Sequence, residues 1–336
     1  AWALSLGAKT RNQAHGSPAN LLDQYAAVDV PEAETFGITD FPIKGVRMDS
    51  IRKQNDGDPT VLKFASSAAN ISGKRITSAE TFTWLTEHFR TRLAQCKLEI
   101  DQLFCAGVNQ VYFHGSTYSP EAEAWPGRKF YASVDMSPTQ NFWEHAPAFF
   151  TYVKRVQGFL QETRPDNDFL LYFPTHDVWS KEGGKPFLTF PIHGMRERLP
   201  AFTGLAEKVM KAGFDLDYLS DAYLAQVEVR GGNLVLPGGS SYRALLVPPI
   251  QYIPKNALHK ILPIAREGGK VRFLEQWPAQ YAGGEGPVTA SADLKPVGED
   301  FLEEFKAYRE EFKAEWGGQL IRKRHEDGHL YFFAYL

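Results

Sequence analysis

The sequence predicts an α/β protein, from two series of alternating strands and helices and a hairpin near the end of the chain. The first series runs from residue 11 to residue 118, and the second runs from residue 169 to residue 274. Strands that alternate with helices form parallel sheets with right-handed crossover connections. The first series holds three or four strands, and the second resembles a small, flavodoxin-like doubly wound domain.

Capping and stop signals delimit the helices of the first series. Ser17 and Pro18 are typical of an N-cap and a first helical position, so they predict where the first helix begins. Gly73 and Gly107 are typical of helix C-termini. The predicted order is a strand from residue 9, a helix from 18, an acidic strand around Pro31, a helix over 59–71, a strand over 75–82, a helix over 89–104, a strand over 108–113 and a helix over 146–162.

A turn-rich segment separates the two series. Residues 164–168, Arg-Pro-Asp-Asn-Asp, are turn formers, and we place a domain boundary there. Apolar strands then alternate with helices up to residue 274, a charged helix is predicted over 299–316, and a hairpin that turns at residues 326–328 begins a β module. The predicted domains therefore span residues 1–165, 166–298 and 299–336.

Composition and charge exclude several classes of function. Hydrophobic residues make up 43% and charged residues 23% of the 336 residues, as in ordinary globular proteins. The net charge of −3, without a strong basic patch, argues against nucleic acid as a partner. No apolar run approaches the length of about 20 residues that a membrane-spanning helix needs. The aromatic content of 13% is typical of sugar-stacking sites and of cores, and core packing is the preferred interpretation.

Polar side chains gather where two strands of the first series end. Arg11, Gln13 and His15 follow one strand, and Glu32 and Glu34 lie on the next. In a barrel or an open α/β sheet, the carboxyl ends of the strands face the active site. These side chains are therefore placed for chemistry rather than for packing.

A further acid, Glu80, ends the next strand-like run. Paired carboxylates at neighbouring strand ends are typical of glycoside hydrolysis. An inverting hydrolase needs one carboxylic acid to protonate the leaving oxygen and one carboxylate to activate water, about 6.5–9.5 Å apart. The alternative role for Glu80 is an N-cap of the helix after Thr83.

Segments 11–37, 62–69, 78–84, 101–109 and 113–115 together resemble glycoside hydrolase family 106, the α-L-rhamnosidases, and the resemblance covers residues 5–280. It implies a (β/α)8-type barrel, of which this chain holds the C-terminal part. It also implies release of terminal α-L-rhamnose with inversion, an active-site calcium ion, and a periplasmic or secreted protein. Because both chain ends are abrupt, we expect a fragment whose early barrel strands lie upstream.

Within this resemblance, Glu80 is the expected general base, because small neighbours leave room for a ligand. Glu34 is the second catalytic candidate. Glu32 and Glu34 share one face of an extended strand, where two like charges need a proton or a cation between them. Calcium prefers oxygen ligands, so Glu34, helped by Glu32 or Asp29, is the expected metal or substrate ligand, with solvated turn acids as the alternative. We expect the general acid in the remainder of the same polypeptide.

Five further side chains are expected to contact a carbohydrate substrate: Arg11, Gln13, His15, His114 and Trp84. The first three suit hydrogen bonding to sugar hydroxyls, or else form a buried network that holds the strand end. His114 is expected to touch substrate or metal, with a core histidine as the alternative. Trp84 is a candidate apolar wall for the rhamnose methyl group, as is Trp125, with core packing as the favoured alternative for both.

Two other functions fit the sequence. One is another exo-glycosidase on a similar barrel, such as a β-galactosidase-like enzyme. The other is a non-catalytic carbohydrate-binding fragment that lacks the acid. The sequence contains neither a Gly-x-Ser-x-Gly elbow nor a cysteine-rich metal motif, so no competing chemistry displaces the carboxylate interpretation.

Overall fold

Four short parallel strands form the first sheet, in the same order as they occur in the chain. They are β1 (Arg11–Asn12), β2 (Val30–Glu34), β3 (Ser78–Thr81) and β4 (Gln110–Phe113). In their register, Glu34 pairs with Glu80, and Glu80 pairs with Tyr112. The computed structural model describes residues 2–35, 41, 43–45, 58–85, 88–181, 194–292, 294–309 and 318–336.

The helices that accompany this sheet are α1 (Trp2–Ser5), α2 (Leu21–Ala26), α3 (Pro59–Ile71), α4 (Leu93–Cys105), a 3₁₀ turn (Trp143–His145) and α5 (Ala146–Glu162). Helices α2 and α3 pack against strand β2, and the alternating residues Ala33 and Ala79 point from the strands into the same core. The first long helix of the series begins later than predicted. The side chain of Asn20 accepts a hydrogen bond from the N–H of Leu22 at 3.1 Å, so Asn20 rather than Ser17 is the N-cap of α2.

A second parallel sheet follows. Its unit contains β5 (Arg164–Pro165), β6 (Phe169–Tyr172), α6 (Thr175–Lys181), α7 (Met195–Arg198), α8 (Pro200–Lys211), β7 (Leu216–Leu219), α9 (Asp221–Leu224), β8 (Glu228–Arg230), β9 (Asn233–Val235), β10 (Ser241–Tyr242), β11 (Ala244–Val247), β12 (Tyr252–Ile253), α10 (Lys255–Arg266), β13 (Lys270–Phe273) and β14 (Gln280–Tyr281). The main sheet has the order β7-β6-β11-β13, and every residue of β6, β7 and β11 is buried. Such continuous burial is typical of parallel strands covered on both faces.

Helix α3 joins the two sheets, because one side of it packs against β7. The ring of Phe64 lies 4.7 Å from that of Tyr218 and 4.9 Å from that of Phe173. Beside them, the ammonium group of Lys63 forms a buried ion pair with Asp215 at 2.6 Å. One hydrophobic core therefore includes residues from both sides of the turn-rich segment.

The two units also touch through their backbones, at Gly73 and Gly238. A Cβ atom added to Gly238 would lie 2.4 Å from the Cα atom of Gly73, closer than real side chains come. Gly73 also has a φ of 74°, in the left-handed region that favours glycine. Both positions therefore require glycine, Gly238 for space and Gly73 for space and backbone conformation.

The chain ends in an antiparallel hairpin formed by β15 (Gln319–His325) and β16 (Gly328–Ala334), with the predicted turn between them. Strand β15 also pairs with β5, so the hairpin continues a sheet that begins at the turn-rich segment. The described part of the predicted helix over 299–316 is a 3₁₀ helix, Glu299–Arg309, and residues 310–317 lie outside the described residues.

Buried charges bind this end of the chain to the second unit. Asp168, 1% exposed, accepts a hydrogen bond from Nε of Arg309 at 2.8 Å and lies 3.6 Å from the guanidinium of Arg322. Asp166 forms ion pairs with Arg322 and Arg324. Across the described ranges, no helix combines the length and the apolar character needed to cross a bilayer.

Candidate active site

The alternation of side chains along the first sheet creates a polar face. Since Ala33 and Ala79 point into the core, Glu34, Glu80 and Tyr112 lie together on the opposite face of neighbouring strands. Two residues earlier on these strands, Glu32 lies beside Ser78 on the same face. The loop after β1 brings further polar side chains against these residues. The sheet thus offers an ordered array of carboxylates and hydrogen-bonding groups.

Glu80 is the most accessible carboxylate of this array, with 29% of its side chain exposed. Gln13 donates a hydrogen bond to its Oε2 atom at 2.6 Å, and the hydroxyl of Thr83 donates to Oε1 at 2.9 Å. Nε2 of His114 lies 3.9 Å from the same Oε1 atom. Glu80 is therefore held from two sides and still open to solvent, rather than serving as a helix cap.

Glu34 occupies the matching position on β2 but is buried, with 7% of its side chain exposed. Nε2 of His15 lies 3.0 Å from its carboxylate. Burial raises the pKa of Glu34, while the hydrogen bond and charge of His15 lower it and the neighbouring charge of Glu80 raises it further. Two carboxyl groups in register thus have different environments, the arrangement by which proteins separate acid and base roles.

Glu32 is enclosed by hydrogen-bond donors. Its carboxylate accepts hydrogen bonds from the hydroxyl of Ser78 at 2.7 Å and from Gln13 at 3.3 Å, and it lies 3.3 Å from Nε of Arg11. The guanidinium carbon of Arg11 in turn lies 3.8 Å from the centre of the Tyr112 ring. Gln13 bridges Glu32 and Glu80, so the predicted substrate-binding residues Arg11 and Gln13 form one network with Glu32 and the predicted base Glu80.

The predicted calcium site is not assembled by these residues. Asp29 lies at the opposite end of β2 from Glu34, where it accepts hydrogen bonds from the N–H and hydroxyl of Thr10, which lower its pKa. Asp29, the alternative helper to Glu32, therefore lies apart from Glu34. Glu32 lies against the guanidinium of Arg11 and Glu34 lies against the imidazole of His15, and neither of these groups can serve as an oxygen ligand. Within the described ranges, no group of three or more His, Cys, Asp or Glu residues could hold a metal, so this set does not fit calcium.

Trp84, a predicted substrate-binding residue, does not line the polar face. Its side chain is completely buried, and its ring packs edge-on against Phe82 at 4.9 Å. Its indole N–H finds no hydrogen-bond partner in the described part of the chain. Trp84 therefore belongs to the core, which the sequence analysis named as the favoured alternative. Trp125, in contrast, is 72% exposed.

Three residues of the array were missed: Ser78, Thr83 and Tyr112. Ser78 and Tyr112 could have been found from the two-residue period of strands, since they share a face with Glu80. Thr83 approaches Glu80 only because the chain turns after β3, at Phe82 with a φ of 73°. No pattern in the sequence predicts that turn.

Comparisons with known proteins agree on the kind of protein. A family model described as alpha-L-rhamnosidase matches residues 12–280. A protein of Formosa agariphila named “Putative beta-glucuronidase” is 27% identical over 244 residues, which make up 71% of this chain and 18% of that protein. This chain therefore spans less than a fifth of the length of that relative.

Solved structures of glycosidases share the fold. A rhamnosidase from Novosphingobium sp. PP1Y superposes with a TM-score of 0.67 at 16% identity, over 98% of this chain and 32% of that chain. The beta-galactosidase from Rahnella sp. R3 gives a TM-score of 0.52 at 9% identity, over 84% of this chain and 38% of that chain. The exo-carrageenase GH42 from Bacteroides ovatus gives 0.51 at 12% identity, over 92% and 40%.

At these identities the structural similarity establishes only a mixed α/β fold of the glycosidase type. The family model identifies the family. It matches most of the chain, including all four strands of the first sheet except the first residue of β1. The chain belongs to glycoside hydrolase family 106, the alpha-L-rhamnosidase family.

Proposed function

We propose that the full-length protein is a glycoside hydrolase that releases terminal α-L-rhamnose with inversion, and that Glu80 is its general base. The observation that carries this proposal is the pairing of Glu80 with Glu34 at the carboxyl end of a parallel sheet, one carboxylate open and the other buried. A general base must reach a water molecule, and the exposed fraction of Glu80 allows that. Gln13 and Thr83 fix its orientation.

The general acid is assigned to a part of the protein outside this chain. In-register residues on neighbouring strands have Cα atoms about 5 Å apart, whereas the carboxyl groups of an inverting pair stand about 6.5–9.5 Å apart. Glu34 is thus too near to be the preferred partner of Glu80. Its raised pKa and its contact with His15 suit a group that binds a sugar hydroxyl. The roles proposed for Glu80 and Glu34 do not require a metal ion.

We infer that the two parallel sheets belong to two different kinds of domain. The first sheet is taken as the C-terminal part of a (β/α)8 barrel, since its strands are parallel, in chain order, and open on their polar face. The second is taken as a flavodoxin-like domain, since numbering its strands by occurrence gives the order 2-1-3-4 of that arrangement.

The test measures hydrolysis of p-nitrophenyl α-L-rhamnoside by the full-length protein. The p-nitrophenyl β-glucuronide and β-galactoside are assayed separately, as the substrates of the alternative functions. Glu80→Gln is expected to lower kcat by about 10²- to 10⁴-fold, the usual contribution of a general base. Glu267→Gln, on an exposed helix end, is the matched control and is expected to keep full activity. NMR of the released sugar is expected to show the inverted anomer first.

Two results would contradict the proposal. Full activity of Glu80→Gln would remove Glu80 from the mechanism. Turnover of the glucuronide or galactoside without turnover of the rhamnoside would show that the enzyme releases a different sugar, while the proposed role of Glu80 would still stand.

A further inference from the structure

Exposed aromatic side chains cluster on the connection between β4 and α5. Tyr118, Trp125 and Tyr131 are 81%, 72% and 71% exposed, and Phe130 is 40% exposed. Grouped exposed aromatic rings are uncommon on soluble proteins and mark binding surfaces. This connection also follows the carboxyl end of β4, the end of the sheet that holds Glu80.

Ring contacts lead from the carboxylate site to this surface. Nε2 of His114 lies 3.9 Å from Glu80, and the ring of Phe130 meets the His114 ring edge-on at 4.9 Å. The ring of Tyr131 lies 4.8 Å from that of Phe130. Phe130 and Tyr131, here called the aromatic ridge, therefore begin beside the reacting centre and extend outward from it.

Hydrogen bonds anchor the backbone on both sides of the ridge. The N–H of Gly115 donates to the hydroxyl of Ser133 at 2.7 Å, and the N–H of Met136 donates to the carbonyl of Gly115 at 3.0 Å. Farther along, the N–H of Arg128 donates to the hydroxyl of Ser119 at 2.8 Å. A ligand that stacks on the ridge therefore meets a connection whose backbone is already anchored on both sides of the two rings.

We propose that the aromatic ridge binds the leaving-group side of the substrate, by stacking on the sugar ring or aromatic group next to the cleaved bond. The inference rests on the proposed function and names where its substrate extends. The terminal sugar requires polar partners, and the array around Glu80 and Glu34 supplies them. The ridge lies beyond His114 and offers ring faces, which suit the flat apolar face of a pyranose or an aryl group.

The experiment compares two glycosides of the same sugar, one with a p-nitrophenyl and one with a methyl leaving group, in the full-length protein. Tyr131→Ala is expected to raise KM for the aryl glycoside about 3- to 10-fold, the range that ring stacking provides. KM for the methyl glycoside is expected to change less than about twofold, because methyl has no ring to stack. Tyr131→Phe keeps the ring and is expected to keep the wild-type KM.

Phe159→Ala is the matched control, since Phe159 is an exposed aromatic residue of α5 outside the ridge. Equal losses for both glycosides, or a lowered melting temperature of Tyr131→Ala, would mean that the ridge is packed under another part of the polypeptide, and would overturn the inference. An unchanged KM for both would overturn it as well.

The same comparison separates this inference from the proposed function. If the enzyme hydrolyses glycosides of another sugar, the aryl and methyl glycosides of that sugar replace the rhamnosides, and the expected difference between them stays the same. If no glycoside is hydrolysed, calorimetric binding of the p-nitrophenyl and methyl rhamnosides provides the readout. Binding of the aryl compound that Tyr131→Ala weakens supports the ridge, and equal binding to both proteins overturns it.

Discussion

At the scale of single residues, Glu34 and Glu80 show how position in a sheet separates two identical side chains. They share a register position, yet one is buried against His15 and the other is open beside Gln13. Both were predictable from the sequence, because each lies at or next to the carboxyl end of a strand. Their difference was not, since burial depends on which loops fold over each strand end.

Asp217 provides a test of buried charge at this scale. It is fully buried, and burial raises its pKa from 3.8 to about 6. The folded protein therefore holds this proton more tightly than the unfolded chain does. As pH rises from about 4 to about 6, the unfolding free energy falls, by on the order of 2 kcal/mol from this group. The loss is complete about one pH unit above the folded-state pKa.

Asp217→Asn is expected to remove this part of the pH dependence, while the amide oxygen can still accept the hydrogen bond that Tyr242 donates. Urea unfolding at pH 4, 5, 6 and 7 measures the slope. Asp327→Asn, at a side chain that is 94% exposed, serves as the control and is expected to keep the wild-type slope. Parallel curves for wild type and Asp217→Asn would show that Asp217 has an ordinary pKa.

At the scale of elements, local signals succeeded where helices are long. The helix predicted over 146–162 is observed as α5 (Ala146–Glu162), and the one predicted to stop before Gly107 is α4 (Leu93–Cys105). The start of α2 was misplaced because Ser17 and Asn20 are both good N-caps, and tertiary packing selects between them. The pairing of β15 with β5 joins segments about 160 residues apart, which no local pattern indicates.

The contact between Gly73 and Gly238 tests the packing of elements. Gly238→Ala is expected to lower the unfolding free energy by about 1–3 kcal/mol, because the new Cβ atom meets backbone that cannot move aside cheaply. Gly204→Ala, in helix α8 with open space around the position, is the control and is expected to raise it by about 0.5–1 kcal/mol. Chemical unfolding of both variants measures the difference. Equal stability of both variants would show that the two backbones can separate freely.

At the scale of the whole molecule, the first sheet has its polar face open while its other face is packed. The α/β class was predictable from the alternation of elements, and the polar residues of the site from their strand ends. The joining of the two sheets through Lys63 and Asp215 was not, because two charged residues 152 positions apart are individually typical of surfaces.

The proposed position of the general acid, outside residues 1–336, leads to a prediction for the activity of this chain by itself. Residues 1–336 alone are expected to hydrolyse p-nitrophenyl α-L-rhamnoside at less than about one hundredth of the full-length rate, because the general acid is assigned elsewhere. Comparing the two proteins at equal concentration, with circular dichroism to show that the shorter one is folded, measures this. Similar rates for both would place the acid inside this chain and reopen the role of Glu34.

The buried charges around Asp168 also limit where this protein can be divided into pieces that still fold. Its counter-ions, Arg309 and Arg322, come from beyond residue 300, so a genetic crossover between those segments would strand a carboxylate or two guanidinium groups in a dry interior. Such a loss would cost several kcal/mol, much of the margin by which an average domain stays folded. The second unit is therefore expected to stay folded only when the segment beyond residue 300 is present to supply both guanidinium groups.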